Sequence, residues 1–206
     1  MPSGSADKPL YLGLDLSTRR RNRANGHIAV VDSGITVAIE QSFGNCAQYI
    51  QTRTSTPHAL APQAAETFFT LDESARRTIE AADTFFVASR SRTGIEGDGG
   101  LDVSHRGGRP GFVAVHGDTL VVPDFRGNRF FNTLGNLLGD PRAGLLFIDF
   151  ATGELLQVQG KATIQWDEPR RWTVAVERGW RRPGALPFDW TFSDYAPTTL
   201  ATGTNS

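Results

Sequence analysis

The sequence predicts a mainly β fold with short α-helices, in which one complete antiparallel barrel of six or more strands follows a few additional strands. Three observations carry this reading. Apolar runs of strand length recur between Gly- and Pro-rich turns, only two short stretches have helical periodicity, and one strand–turn–strand unit occurs twice.

The duplication is the most specific of the three. Asp15, Thr18 and Gly26 recur as Asp149, Thr152 and Gly160, each pair 134 positions apart. In both places an apolar run, Tyr11 to Leu14 or Gly144 to Ile148, enters an Asp-x-x-Thr turn, and a second strand then reaches the Gly. A full set of elements precedes the second copy, whereas only a short segment precedes the first. The organisation expected is therefore remnant strands of a first barrel over 1–51, a linker rich in Thr, Ser and Pro over 52–65, a complete barrel over 66–195 and a flexible tail over 196–206.

Within the complete unit, Thr70-x-x-Glu73 reads as a capping box opening a short helix through Ala82. Thr84 to Ser89 is β-rich, and Arg90 to Gly100, with four glycines and two acids, reads as a mobile loop. Phe112 to Val115 and Thr119 to Val122 flank His116-Gly117-Asp118 as a hairpin. Phe130, Leu134, Leu137 and Leu138 form one apolar helical stripe. Strands follow at Leu145 to Ile148, Leu155 to Trp166 and Thr173 to Val176, a set that suits a small antiparallel barrel.

Composition narrows the function classes. The 206 residues carry 21 basic and 22 acidic side chains, so no global field recruits nucleic acid or an anionic membrane. A single cysteine, Cys46, rules out an internal disulfide or a multi-thiolate centre and reads as a small buried residue. Met1 to Asp7 is small and polar, and no run of 18 apolar residues occurs, so a reducing, cytoplasmic setting is expected. The four histidines show neither His-x-x-x-His nor Glu-x-x-His spacing, and no metal is assigned. Strand alternation puts Arg19, Arg21 and Arg23 on one face with no aromatic platform beside it, which reads as a solvated or interface-facing strand rather than a nucleic-acid site.

Two stretches have the chemistry of an anion site. Ser104-His105-Arg106-Gly107-Gly108-Arg109-Pro110-Gly111 combines a hydroxyl, two guanidiniums and glycines that let a ligand approach the backbone. Pro123-Asp124-Phe125-Arg126-Gly127-Asn128-Arg129 stands directly ahead of the apolar helix, whose N-terminus favours an anion.

These stretches, with the PDFRGNRFFNTLGNL and DPRAGLLFID segments and the strand ending in Gly160, resemble the pyridoxamine 5′-phosphate oxidase-like family of FMN-binding split barrels. The first copy resembles the end of the first barrel in a bacterial branch with two tandem barrels. The resemblance implies a six-stranded antiparallel split β-barrel of FMN-binding type and an FMN-dependent oxidoreductase of unknown substrate. Arg106 takes the place of the family's phosphate-binding Arg, and Asn128 and Arg129 that of its second basic grip. Ser104, Arg126, Asn132, Thr133 and Gln157 are further cofactor-binding candidates.

The resemblance further implies a homodimer with flavin near the interface, a small-molecule substrate, and NAD(P)H or a reductase as electron donor. No match to the substrate residues for pyridoxal phosphate is found, so vitamin B6 oxidation is not the expected activity. The other reading is a non-catalytic module that binds or stores flavin, the deazaflavin F420 or haem.

Overall fold

The computed structural model describes residues 10–31, 34–44, 46–59, 61, 63–91, 100–127 and 132–202. Its strands fall into three antiparallel sheets. The N-terminal sheet is a meander of β1 (Leu10–Asp15), β2 (Arg20–Val31) and β3 (Gly34–Gly44). The main sheet holds β5 (Glu66–Phe68), β6 (Thr84–Arg90), β7 (Leu101–Gly107), β8 (Ala114–His116), β9 (Thr119–Pro123), β10 (Arg142–Asp149), β11 (Glu154–Gln165) and β12 (Arg171–Arg182). Its order is β7-β6-β10-β11-β12-β9-β8, with β5 also paired to β12. A two-stranded ribbon pairs β4 (Thr52–Pro57) with β13 (Phe188–Asp194). Three helices complete the fold: α1 (Glu73–Ala81), α2 (Asn132–Gly139) and α3 (Pro197–Leu200).

The main sheet curls around one apolar core. Phe85, Leu120, Phe147, Leu156 and Trp172 alternate inward from five strands and are fully buried. Phe85 stacks on Phe147 at 5.1 Å between ring centroids, and Trp172 closes the other side at 6.5 Å. Ile79 from α1 and Leu134 and Leu137 from α2 plug the curl.

Several expectations are corrected. Among the described residues the main sheet has eight strands, the six expected from the sequence together with β5 and β7. Only Leu101 and Val103 of β7 are aliphatic, and its Asp102 and Ser104 are met by Arg23 and Thr133. Asp72, not Thr70, caps α1, accepting the Ala75 N–H at 2.7 Å. Leu138 leaves the apolar stripe and is 67% exposed, and Phe130 lies outside the described residues. So does most of the loop between Arg90 and Gly100.

The expected linker is partly a strand: Thr52–Pro57 pairs along β13. The expected tail contains α3, held by Gln51. The buried Gln51 amide donates to Thr199 Oγ1 at 3.0 Å and accepts from the Ala196 N–H at 2.9 Å.

The N-terminal sheet is seated on the barrel. β1 runs beside β7, the end strand of the main sheet. Arg23 on β2 forms an ion pair with Asp102 on β7. The Arg53 N–H donates to Leu16 O at 3.1 Å, and Arg19 Nε donates to Ile50 O at 2.9 Å. No helix among the described residues is long and apolar enough to cross a membrane.

Candidate functional site

The two stretches singled out in the sequence meet in space. His105, Arg106 and Gly107, at the end of β7, and Pro123, Phe125 and Gly127, at the end of β9 and just after it, line one small cleft of about 30 Å³. A third wall comes from the N-terminal part of the chain: Arg21 on β2, with Cys46, Gln48 and Tyr49. The walls are tied together. Tyr49 stacks on Phe125 at 5.4 Å, and its hydroxyl donates to Arg126 O at 2.5 Å. Backbones approach closely here, since a Cβ on Gly107 would overlap the Tyr49 carbonyl oxygen and one on Gly127, whose φ is +127°, the Gln48 amide.

The electrostatics favour an anion. Burial depresses the pKa of Arg106 to about 10; Asp124 opposes the shift and Arg21 adds to it. Burial likewise lowers that of Arg21. His105, buried between the two guanidiniums, is pushed down to about 3, by burial first and then by Arg21 and Arg106, so its imidazole is neutral at physiological pH. Both His105 ring nitrogens and Arg21 Nε are buried without a hydrogen-bond partner among the described residues. The carboxylate that faces Arg106, Asp124, also pairs with Arg170 at 3.2 Å. Buried donors with unmet hydrogen-bonding capacity beside two guanidiniums are chemically suited to phosphate oxygens. The space holds roughly two water-sized groups, by the usual 10–15 Å³ each, so a ring system does not fit inside it.

The other expected residues are placed differently. Ser104 donates to Asp102 Oδ2 at 3.0 Å, and Thr133 Oγ1 donates to Ser104 Oγ at 3.1 Å. With Arg23 they form a polar network around Asp102, and neither hydroxyl lines the cleft. Arg126 reaches the site through its carbonyl, its side chain being exposed. Asn132 is exposed at the start of α2, and Gln157 is exposed on β11, away from the cleft. Asn128 and Arg129 lie outside the described residues. Cys46 is exposed rather than buried, just beyond the end of β3.

Arg21 is the residue that sequence reasoning missed. The duplication held the signal: counting 134 positions back from Leu155 and Gln157 gives Arg21 and Arg23, two charges on the strand face that is uncharged in the other copy.

Larger hollows exist: one of about 460 Å³ is lined by Arg53, Arg77 and Asp83, with Arg53 and Asp83 paired at 2.5 Å. Another of about 320 Å³ lies over Ala88, Gly144 and Gln159, and the charges at its rim include an exposed Arg142–Asp140 pair at 2.5 Å that satisfies itself. Among the described residues no three His, Cys, Asp or Glu side chains gather as a metal-ligand set.

Comparison with known proteins identifies the barrel. The family model for pyridoxamine 5′-phosphate oxidase matches residues 71–196, more than half of the chain. Among solved structures, HupZ of Group A Streptococcus is 13% identical with a TM-score of 0.40, covering 54% of this chain and 93% of its own. A candidate 5-nitroimidazole antibiotic resistance protein of Bacteroides thetaiotaomicron is 16% identical with a TM-score of 0.37, covering 64% of this chain and 96% of its own. No curated protein matches the sequence.

Proposed function

The chain belongs to the pyridoxamine 5′-phosphate oxidase family, and from that premise we propose that it is an FMN-binding oxidoreductase that grips the flavin by its phosphate. The observation that carries the proposal is the convergence of Arg106 and Arg21 on a small buried cleft with unmet donors. Arg106 is assigned the principal charge contact. The neutral His105 can donate a single hydrogen bond without adding a third charge. Gly107 and Gly127 let the walls of the cleft approach closely. Asn128 and Arg129, next in sequence, are assigned to the same phosphate.

Bound flavin would supply hydride or electron transfer, while the protein fixes its orientation and shapes the substrate pocket. The substrate is taken to be a small molecule and the electron donor NAD(P)H or a reductase.

The test is spectroscopic. The purified protein is expected to carry or take up FMN, identified by its absorbance, and to be bleached by NAD(P)H or a chemical reductant. Arg106→Ala should weaken FMN at least tenfold, since a hydrogen bond to a charged group contributes about 1.5–3 kcal/mol. A folded Arg106→Ala protein with unchanged FMN affinity would refute the phosphate assignment. A haem or deazaflavin spectrum would replace FMN with that cofactor.

A further inference from the structure

Arg21 lies in the first copy of the repeat and Arg106 on β7 of the barrel, outside either copy, yet they line one cleft. The position equivalent to Arg21 in the second copy is Leu155, so the charge is peculiar to the copy that faces the seam. Tyr49, bonded to Arg126 O, closes the same wall, and Arg21 Nε is buried there without a partner. We propose that the anion site is a joint site, which Arg21 and the 46–49 segment complete in cis, so that a bound phosphate fastens the N-terminal sheet onto the barrel.

The inference rests on the phosphate reading above and adds a role for the N-terminal sheet. Across the seam Arg21 stands near Arg106, whose charge Asp124 partly offsets, and the sheet is held by Arg23–Asp102, Arg53 to Leu16 and Arg19 to Ile50. A phosphate between Arg21 and Arg106 adds two attractions, one to each side. Linkage makes the effect reciprocal: the factor by which the docked sheet tightens phosphate binding is the factor by which phosphate tightens docking. The phosphate-free flavin, riboflavin, has nothing to offer Arg21 and should leave the seam as it was.

The experiment titrates FMN, riboflavin and inorganic phosphate into the full chain and into Arg21→Gln, Arg21→Lys and Arg106→Ala. Affinity and amide exchange along β2 are the two readouts. FMN should bind the wild type more tightly than riboflavin and slow exchange in β2, and inorganic phosphate should slow it too. Arg21→Gln should weaken FMN at least tenfold, leave riboflavin unchanged and abolish the slowing, whereas Arg21→Lys, which keeps the charge, should recover part of both. If Arg21→Gln binds FMN like the wild type while Arg106→Ala does not, the site belongs to the barrel alone: the joint site is overturned and the phosphate reading survives. If the wild type binds riboflavin as tightly as FMN, the phosphate reading fails, and the inference with it.

Discussion

The two copies of the repeat share a backbone, but only one of them encloses a core. Asp15 accepts from the Ser17 N–H at 2.9 Å and from Thr18 Oγ1 at 2.7 Å; Asp149 accepts from the Ala151 N–H at 2.9 Å and from Thr152 Oγ1 at 2.8 Å. The register slips between Asn25 and Gly26 in one copy and between Gln159 and Gly160 in the other. The hairpin that follows is three residues shorter in the first copy, joining Val31 to Gly34 instead of Gln165 to Arg171. The side chains then diverge. Buried Leu156 corresponds to exposed Asn22, and Val176, 9% exposed, corresponds to Ile39, 62% exposed. Turn carboxylate, bulge glycine and strand pairing set the backbone locally, whereas burial depends on what is laid over it.

The bulge glycines should break the comparison most sharply. A Cβ on Gly160 would overlap the Ala175 carbonyl oxygen, and one on Gly26 the Ala38 carbonyl oxygen, so the local insult is the same. Gly160→Ala strikes strands that close the core and should lower the unfolding free energy by about 3–5 kcal/mol. Gly26→Ala should instead raise amide exchange within β1–β3 and leave the global transition within about 1 kcal/mol of wild type, because that sheet can open by itself. Equal losses in chemical denaturation would mean that the two sheets unfold as one unit.

His105 tests the seam. Its pKa in the folded protein, about 3, lies below the ordinary 6.5. The unfolded chain therefore takes up a proton below pH 6.5 that the folded chain refuses. This contribution to stability is complete above about pH 6.5 and declines as pH falls toward 3, at up to about 1.4 kcal/mol per pH unit. The loss should reach about 2–3 kcal/mol by pH 4.5. Arg21→Gln, which removes one of the two cations beside the ring, should raise the His105 pKa and make the decline shallower. An unchanged curve would mean that Arg21 does not act on the ring.

Paired truncations of the core-facing positions come next in size. Val176→Ala should cost about 1–2.5 kcal/mol, and Ile39→Ala less than about 0.5 kcal/mol, because only the first removes methyl groups from a packed interior. A large loss for Ile39→Ala would show that the N-terminal sheet's open face is covered in solution.

What was legible in the sequence follows the same division. The repeat, the hairpin at Gly117 and strands β9 to β12 could be read because apolar alternation and turn residues are local signals. β7 could not, because two of its polar side chains find partners on other elements: Asp102 meets Arg23 and Thr133, and Ser104 meets Thr133. β4 was hidden by a Thr, Ser and Pro composition shared with loops, and only its pairing with β13 makes it a strand. At the site, Arg106 and the Pro123–Gly127 stretch carry glycines and guanidiniums that a local reading can find. Arg21 joins them through tertiary docking, which no local pattern encodes.

The smallest expected effect lies in the turn itself. Arg19 adopts a left-handed φ of +58°, where the equivalent residue in the second copy is Gly153 at +69°. A side chain there carries a backbone penalty of about 1–2 kcal/mol, and Arg19 offsets it by donating to Ile50 O at 2.9 Å and Tyr195 O at 3.2 Å. The two variants Arg19→Ala and Arg19→Gly lose the same hydrogen bonds, but only the glycine also relieves the backbone. Arg19→Ala should therefore be less stable than wild type, and Arg19→Gly should recover about 1 kcal/mol of that loss. Denaturation midpoints of the two variants measure the difference directly. If the glycine variant is no more stable than the alanine one, the turn is not strained, and the glycine at the matching position of the other copy needs an explanation other than its φ. The crowding of Gly153 against the Leu186 backbone, where a Cβ would lie 2.5 Å from the carbonyl oxygen, would then be that explanation.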